Sequence, residues 1–515
     1  MNKNNMNRMS RFLLAFVAVF AATLYADYVP EKWNLEAREN FAAQRFGIFI
    51  HWGIYANYAQ GEWYQQRIGI DSETYGRMKD GFCPSKFDAK EWVRVFKDAG
   101  AKYVTITSRH HDGFSLWPTK ADDGFNIAET PFRRDILGEL AEACKEAGLQ
   151  LNFYYSLMDW HRKDYPAGPV ARRCLGAQKG DYASYKKFML AQIAELIDSY
   201  HPGNIWFDGE WEHAAHQKDG TWKRTLDWDF DTIYDFIHSK HVLVANNNHQ
   251  PIREKEDIQL FERDLPGDNS DAGFSRHQPV ARDRPVEQCD VIQNGVWGYR
   301  LNERRFRSPQ EVCAMICRAA AKDSNLLMNI GPDGSGRLPA RAVEVMAEVG
   351  KWMRANGDAI YGTRGLGLVK NADGTETGST TKNGVVYTFK IRKGAYPEVT
   401  TAPRQAPTAQ SAAETNATVV ALKPGEKNVL TLHENVTTGF SWVAVTDGDK
   451  ISVTVEHLGP PKTKEPLCGA PGSARITIEA HEGFKGLATV TLKYMRPWNG
   501  ETIDSRKINV VLRVE

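Results

Sequence analysis

Carboxylates, imidazoles and indoles recur where short apolar runs of this chain give way to turns. The stretch NIWFDGEW (204–211) alternates Ile205 and Phe207 with Trp206 and Asp208, the period of a strand, and stops on an acid followed by Gly209 and Glu210. FGIFIHWG (46–53) ends near His51, AKYVTITSRH (101–110) runs into His110, His111 and Asp112, and LQLNFYYSL (149–157) carries Tyr154 and Tyr155. DIQLFERD (257–264) holds Glu262 in phase with Ile258 and Leu260, and VEQCDVIQ (286–293) opens with Glu287. Hydrolysis of a glycosidic bond requires two carboxylates across a cleft, one of them protonated to serve the leaving oxygen. Asp208 and Glu262, on the fourth and sixth strands in chain order, fit that demand. The same residues admit two other roles. His51, His110 or His111 with Asp208 would make a metal site, although neighbours on one strand point to opposite faces and chelate poorly together. Each histidine alone also fits a hydrogen-bonded core position, and Asp208 alone fits the opening of a loop.

The elements that must position these groups alternate. Helical patterns at 86–100, 134–148, 181–200, near 231–239, 309–321 and 339–357 separate eight strand-like runs; the fifth is HVLVANNN (241–248) and the last NLLMNIGP (325–332). This predicts an α/β fold, a parallel (β/α)8 TIM-like barrel whose strand C-termini meet at one mouth. The segments joining the fifth, sixth and seventh strands are too short or too polar for full helices, so the barrel is expected to be irregular there. A doubly wound open sheet is the alternative, without a glycine-rich phosphate loop to support it.

The chain has 515 residues, 42% apolar and 25% charged, with a formal net charge of +1. Both signs are interspersed, which argues against a nucleic-acid partner and a polybasic membrane patch. Seven irregularly spaced cysteines fit buried thiols rather than a disulfide framework. Residues 1–26 place Lys3, Arg8 and Arg11 before the apolar run Phe12 to Leu24 and end on small residues, the layout of a signal peptide. Cleavage near Ala26 is expected, with export to the periplasm or the cell exterior and no membrane span in the mature chain. The barrel is expected over 27–361, followed by a truncated β extension (362–399) with one clear strand, VVYTFKIR (385–392). An Ala/Pro/Thr/Ser-rich linker (400–417) then leads to alternating strands over 418–515, a small immunoglobulin-like sandwich.

RFGIFIHWG (45–53), EWY (62–64), AGAKYVTITSRHHDGFSLW (99–117), YYSLMDW (154–160), WFDGEW (206–211) and NLLMNIGP with its trailing GRLP (325–339) strongly resemble glycoside hydrolase family 29, the retaining α-L-fucosidases, over about residues 30–395. The resemblance implies double displacement on a fucosylated oligosaccharide or glycoprotein, with Asp208 as nucleophile and neither cofactor nor metal. It implies fucose contacts from His51, Glu62, Trp63, His110, His111, Tyr155, Trp206 and Trp297. The acid/base role falls on Glu262, in FERDLPG, with Glu287 as its rival. At VANNNHQ (244–250) the chain departs from the family, since Asn248 and His249 stand where many members carry an arginine. A non-catalytic fucose-binding protein, or a barrel glycosidase for another sugar, is the alternative; the presence of both carboxylates argues for catalysis.

In the C-terminal part, NVTTGFSW (435–442), CGAPGS (468–473) and YMRPWNG (494–500) follow one another between strands. They resemble the three loops of the chagasin-type inhibitors of papain-like cysteine proteases, with Val436 in place of a proline and Phe440 in place of a tyrosine. The resemblance implies that Thr437, Thr438, Gly439 and Phe440 enter a protease cleft, flanked by Gly469 to Gly472 and by Arg496 to Trp498. The alternative is an immunoglobulin-like spacer with Trp442 and Trp498 in its core.

Overall fold

Eight parallel strands wind around one axis in the computed structural model, which describes residues 28–121, 124–216, 222–247, 252–268, 279–281, 283–403, 418–434, 441–446, 451–458, 472–495 and 506–514. They are β1 (Phe46–Ile50), β2 (Tyr103–Arg109), β3 (Gln150–Ser156), β4 (Asn204–Asp208), β5 (Leu243–Asn247), β6 (Gln259–Glu262), β7 (Val286–Val291) and β8 (Ser324–Ile330). Hydrogen bonding follows the order β5-β4-β3-β2-β1-β8-β7-β6, and among the described residues a single bridge, between Ala245 and Ile258, joins the two ends. The strands read as near-continuous apolar runs because both faces are covered. Outward residues such as Ile48, Ile106, Tyr155 and Phe207 pack in the main core under the helices, while Phe49, Tyr103, Tyr154, Trp206, Leu260, Cys289 and Leu327 fill the barrel interior.

The outer layer comprises α2 (Ala89–Asp98), α3 (Ile136–Ala147), α4 (Tyr182–Tyr200), α5 (Phe230–His238), α6 (Pro309–Ala321) and α7 (Ala340–Asn356), after a leading helix α1 (Lys32–Gln44). The starts of α2, α3, α4 and α6 are fixed by Asp88, Asp135, Asp181 and Ser308, whose side chains accept otherwise unpaired helix N–H groups. Among the described residues no helix lies between β5 and β7, where the sequence pattern is weakest.

Helix α1 carries no clean apolar stripe. Its buried positions are Asn34, Arg38, Phe41 and Ala42, helical spacing with two polar members. Phe41 enters the barrel interior beside Tyr103. Arg38 and Asn34 both bond Asp257 Oδ1 at 2.8 Å, while Asp257 Oδ2 accepts the His238 ring at 2.9 Å and the Val244 N–H at 2.7 Å. Burial alone would raise this carboxyl, but His238 and Arg38 hold it below its usual range. Asp257 therefore takes, with its side chain, a rung that a backbone carbonyl would take in a regular ladder.

After the barrel, one strand is expected from sequence and four are present. β9 (Arg364–Lys370), β10 (Glu376–Lys382), β11 (Val385–Ile391) and β12 (Glu398–Pro403) form one antiparallel sheet. It is tied to the barrel through Thr380 to the Ala359 carbonyl at 2.7 Å and through the Trp352 indole to the Pro397 carbonyl at 3.1 Å. Seven strands follow: β13 (Thr418–Leu422), β14 (Lys427–Glu434), β15 (Ser441–Thr446), β16 (Ile451–Leu458), β17 (Gly472–Ala480), β18 (Gly486–Met495) and β19 (Arg506–Val514). They make two sheets, β13-β19-β18-β15 and β14-β17-β16, around a core that includes Ile476, Ile478, Val490, Leu512 and Trp442.

Candidate active site

A cavity of about 540 Å³ opens at the C-terminal ends of the barrel strands. His51, Glu62, Trp63, His110, His111, Trp206, Asp208, Glu262 and Trp297, all singled out from sequence, line it. Trp206 and Asp208 face inward together, as residues two apart on a strand must. The bulky interior aromatics close the cavity from below; Trp206 meets Phe49 edge-on at 5.2 Å and stacks on Tyr154 at 5.4 Å.

Asp208 ends β4. Its Oδ1 accepts the Gly209 N–H at 2.8 Å, the Trp211 indole N–H at 3.1 Å and the Asn247 amide at 3.3 Å, and its Oδ2 accepts the Tyr154 hydroxyl at 2.9 Å. His111 Nε2 lies 3.5 Å from Oδ2. This set of donors fixes the plane of the acid and suits its carboxylate form. Gly209 makes the arrangement possible. It sits at φ 96, where a Cβ would also come 2.9 Å from the Cβ of Met158, so glycine is what allows the turn that returns Trp211 to Asp208.

Glu262 ends β6, and its Oε2 accepts the same Asn247 amide nitrogen at 2.8 Å. One nitrogen thus bridges the two acids, and the two bonded oxygens lie no more than about 6 Å apart. Glu287 does not reach the cavity. It points into the barrel below Cys289 and accepts the Tyr103 hydroxyl at 2.6 Å and the Trp206 indole N–H at 3.1 Å. Burial pushes its carboxyl up to about 7 despite these two donors. Of the two rival glutamates, Glu262 alone opens on the cavity.

The three histidines are neutral. Burial lowers His51 and His111 to about 3, and burial with the neighbouring rings lowers His110 well below its usual range. Asn329 donates its amide to the Trp297 carbonyl at 2.7 Å, so its Oδ1 must accept the His51 Nδ1–H at 2.7 Å. That tautomer leaves His51 Nε2 as an acceptor. His110 stacks on Tyr154 and its buried Nδ1 has no hydrogen-bond partner among the described residues, a polar position suited to a hydroxyl ligand. Glu62 accepts the Gly298 N–H at 2.7 Å, which ties the loop after β1 to the loop carrying Trp297. Burial raises its carboxyl against that bond. Trp63 stacks on Trp211 at 5.8 Å and meets Trp160 edge-on at 5.1 Å, giving the cavity an apolar wall. Among the described residues no group of three or more His, Cys, Asp or Glu is placed to hold a metal ion.

Tyr155 is a correction. Along β3, Tyr154 is in register with Trp206 and Tyr155 with Phe207, so Tyr154 faces the cavity and Tyr155 faces the helices. The Tyr155 hydroxyl donates to Gln192 Oε1 on α4 at 2.8 Å. The direction shared by Trp206 and Asp208, carried across one strand pair, would have selected Tyr154. Tyr154→Phe is expected to lower kcat about tenfold by removing a donor from Asp208. Tyr155→Phe is expected to leave kcat unchanged and cost about 1–3 kcal/mol of stability through the orphaned Gln192. Steady-state kinetics beside thermal melts separate the two.

Trp211, Asn247, Gln66, Arg67 and Arg263 also line the cavity and were not singled out from sequence. Trp211 stands in a short 3-10 turn and Asn247 in a run of asparagines, neither of which signals a site. Asn248 and His249 lie outside the described residues, as do Thr437, Thr438, Gly439, Phe440, Gly469, Arg496 and Trp498; Gly472 is the first residue of β17. Trp442 is a core residue of the sandwich.

Comparison with known proteins follows this geometry. Residues 15–358 match the family model described as Alpha-L-fucosidase, and residues 421–512 match the model of the Chagasin family peptidase inhibitor I42. The tissue alpha-L-fucosidase of Rattus norvegicus is 28% identical over 406 residues, covering 73% of this chain and 81% of the relative, and that of Homo sapiens is 28% identical over 407 residues, covering 73% and 81%. Among solved structures, Alpha-L-fucosidase isoenzyme 1 from Paenibacillus thiaminolyticus superposes with a TM-score of 0.60 at 27% identity, covering 87% of this chain and 100% of that one. The Thermotoga maritima alpha-fucosidase superposes with a TM-score of 0.55 at 26% identity, covering 88% and 100%. The residues matched are those that build the barrel and its cavity, and the chain belongs to the α-L-fucosidase family of glycoside hydrolases.

Proposed function

We propose that this chain releases terminal L-fucose from glycans by double displacement with retention of configuration. Asp208 attacks the anomeric carbon while Glu262 protonates the departing glycosidic oxygen. Glu262 then takes a proton from water, whose oxygen displaces Asp208 from the sugar. What carries this reading is the Asn247 amide shared by Asp208 and Glu262, at 3.3 and 2.8 Å. It keeps one oxygen of each acid within about 6 Å of the other, which supports the close carboxyl pair, roughly 5–5.5 Å apart, that a retaining mechanism uses. The neutral rings of His51, His110 and His111 and the acid of Glu62 serve the sugar hydroxyls, while Trp63, Trp206 and Trp297 cover its apolar face. A cavity closed at its base suits a single terminal sugar. The test is proton NMR of 4-nitrophenyl α-L-fucoside hydrolysis: the α anomer of fucose is expected first, with the β anomer appearing only by mutarotation. First appearance of the β anomer would count against Asp208 as nucleophile.

The C-terminal sandwich serves as a binding domain for papain-like cysteine proteases, and export follows from the signal pattern of residues 1–26. The three loop motifs, in their order along a two-sheet sandwich, support the first role. Together they describe an exported enzyme that carries its own protection against proteolysis. Titration of active papain with the full chain is expected to inhibit at micromolar concentration, and replacement of Thr437, Thr438 and Phe440 by alanine to abolish inhibition. Undiminished papain activity would leave a spacer domain.

A further inference from the structure

Arginines around the barrel mouth are paired with acids: Arg109 with Asp159, Arg162 with Asp164, Arg253 with Glu210 and Glu256, and Arg307 with Asp290. Two are not. Arg67, in the short helix Tyr64–Ile68 after Trp63, and Arg263, next to Glu262, both line the cavity. Among the described residues neither guanidinium has a hydrogen-bond or ion-pair partner within 4.0 Å. Arg67 is exposed and Arg263 half-buried. Arg263 adopts a left-handed backbone, φ 54, uncommon for a residue other than glycine, and its N–H is anchored on the Cys289 carbonyl at 2.8 Å. Its place at the rim is therefore set by the main chain.

Charge compensation within the site does not account for the pair. Asp208 is satisfied by the neutral donors of Gly209, Trp211, Asn247 and Tyr154, and Glu262 receives the Asn247 amide. Glu62 lies within electrostatic range of Arg67 but is bonded by the Gly298 N–H. Fucose is uncharged and needs no guanidinium. A general acid must reach the glycosidic oxygen, so residues beside Glu262 flank the leaving group rather than the fucose. We propose that Arg67 and Arg263 form a subsite for an anionic group, a sulfate ester or a carboxylate, on the sugar to which the fucose is attached. This rests on the α-L-fucosidase reading and specifies its substrate class.

The test compares three fucosylated trisaccharides, in which the sugar bearing the fucose is neutral, sulfated or a uronic acid, with the full chain, and uses 4-nitrophenyl α-L-fucoside as a reference. At low ionic strength at least one anionic trisaccharide is expected to show kcat/KM about tenfold above the neutral one, a preference that shrinks as salt screens the guanidiniums. R67Q and R263Q should each reduce the preference, and the double variant should bring the ratio close to one, with thermal melts reporting that the variants are folded. The sulfated and uronate arms identify which anion is bound. Equal or slower turnover of both anionic trisaccharides, or a preference that survives in the double variant, overturns the subsite. No fucose release from any substrate, the nitrophenyl fucoside included, overturns the fucosidase reading instead.

Discussion

Asp208→Ala is expected to lower kcat on 4-nitrophenyl α-L-fucoside on the order of 10⁴-fold, the scale seen when the attacking group of an enzyme is deleted. The donors of Gly209, Trp211, Asn247 and Tyr154 would remain around the vacated position. A small anion bound there can attack the sugar from the same face as the lost carboxylate. Azide should therefore restore turnover and yield the β-fucosyl azide, inverted relative to substrate. Retention of activity within tenfold of the native chain, or no rescue by azide, would remove Asp208 from the role.

Glu262→Ala is expected to cost about 10²–10⁴-fold on a glycan, where the departing hydroxyl needs a proton, and less on the nitrophenyl fucoside. Azide here meets an intact Asp208 and should give the α-fucosyl azide, with retained configuration. The alkaline limb of the kcat/KM profile, which reports loss of the acid's proton, should disappear. Glu287→Gln supplies the contrast, with a pH-dependent effect on stability. Its carboxyl is raised by burial from the ordinary 4.5 to about 7, so the folded state binds the proton more tightly than the unfolded chain. The stabilisation this gives is fully present below the unfolded value and is lost as pH rises through 7, a swing of up to about 3 kcal/mol. The amide cannot ionise. Melting temperatures of the two proteins should converge near pH 4.5 and separate in favour of the variant above pH 7. Azide rescue of the Glu287 variant rather than the Glu262 one would reverse the assignment.

Much of this site was legible because strand ends in a barrel are few and their side-chain period is two. Asp208, Trp206, His51 and Glu262 fall on the inward phase of their strands, and the structure places all four on one cavity. Tyr155 is assigned to the cavity only through the family likeness, whereas strand register pairs Tyr154 with Trp206 and turns Tyr155 outward. Trp211 and Asn247 were missed for a different cause. Asn247 reaches Asp208 only once β4 and β5 lie side by side, and Trp211 returns to Asp208 through the turn that Gly209 makes, so neither contact shows in strand or helix periodicity. Helix α1 hid because Asn34 and Arg38 occupy its buried face, where only Asp257, more than two hundred residues away, makes them tolerable. β9, β10 and β12 hid in segments, glycine- or threonine-rich, whose side chains are mostly half-exposed or exposed, so no sharp alternation marks them.

The seam between β5 and β6 carries a consequence for how the enzyme breathes. Its single bridge contrasts with the four or more paired positions of every other strand pair in the barrel, and Asp257 completes it from the side. Asn247 and Glu262 ride on the two strands that flank this thinnest junction, so local opening of the barrel is expected to begin beside Glu262, the proposed acid. A fucosyl group held between Asp208 and Glu262, as proposed, would span the gap and act as a temporary rivet. Amide exchange along β5 and β6 should then be the fastest of the barrel strands in the free enzyme and the most slowed by occupancy, which makes the catalytic seam its own reporter of substrate.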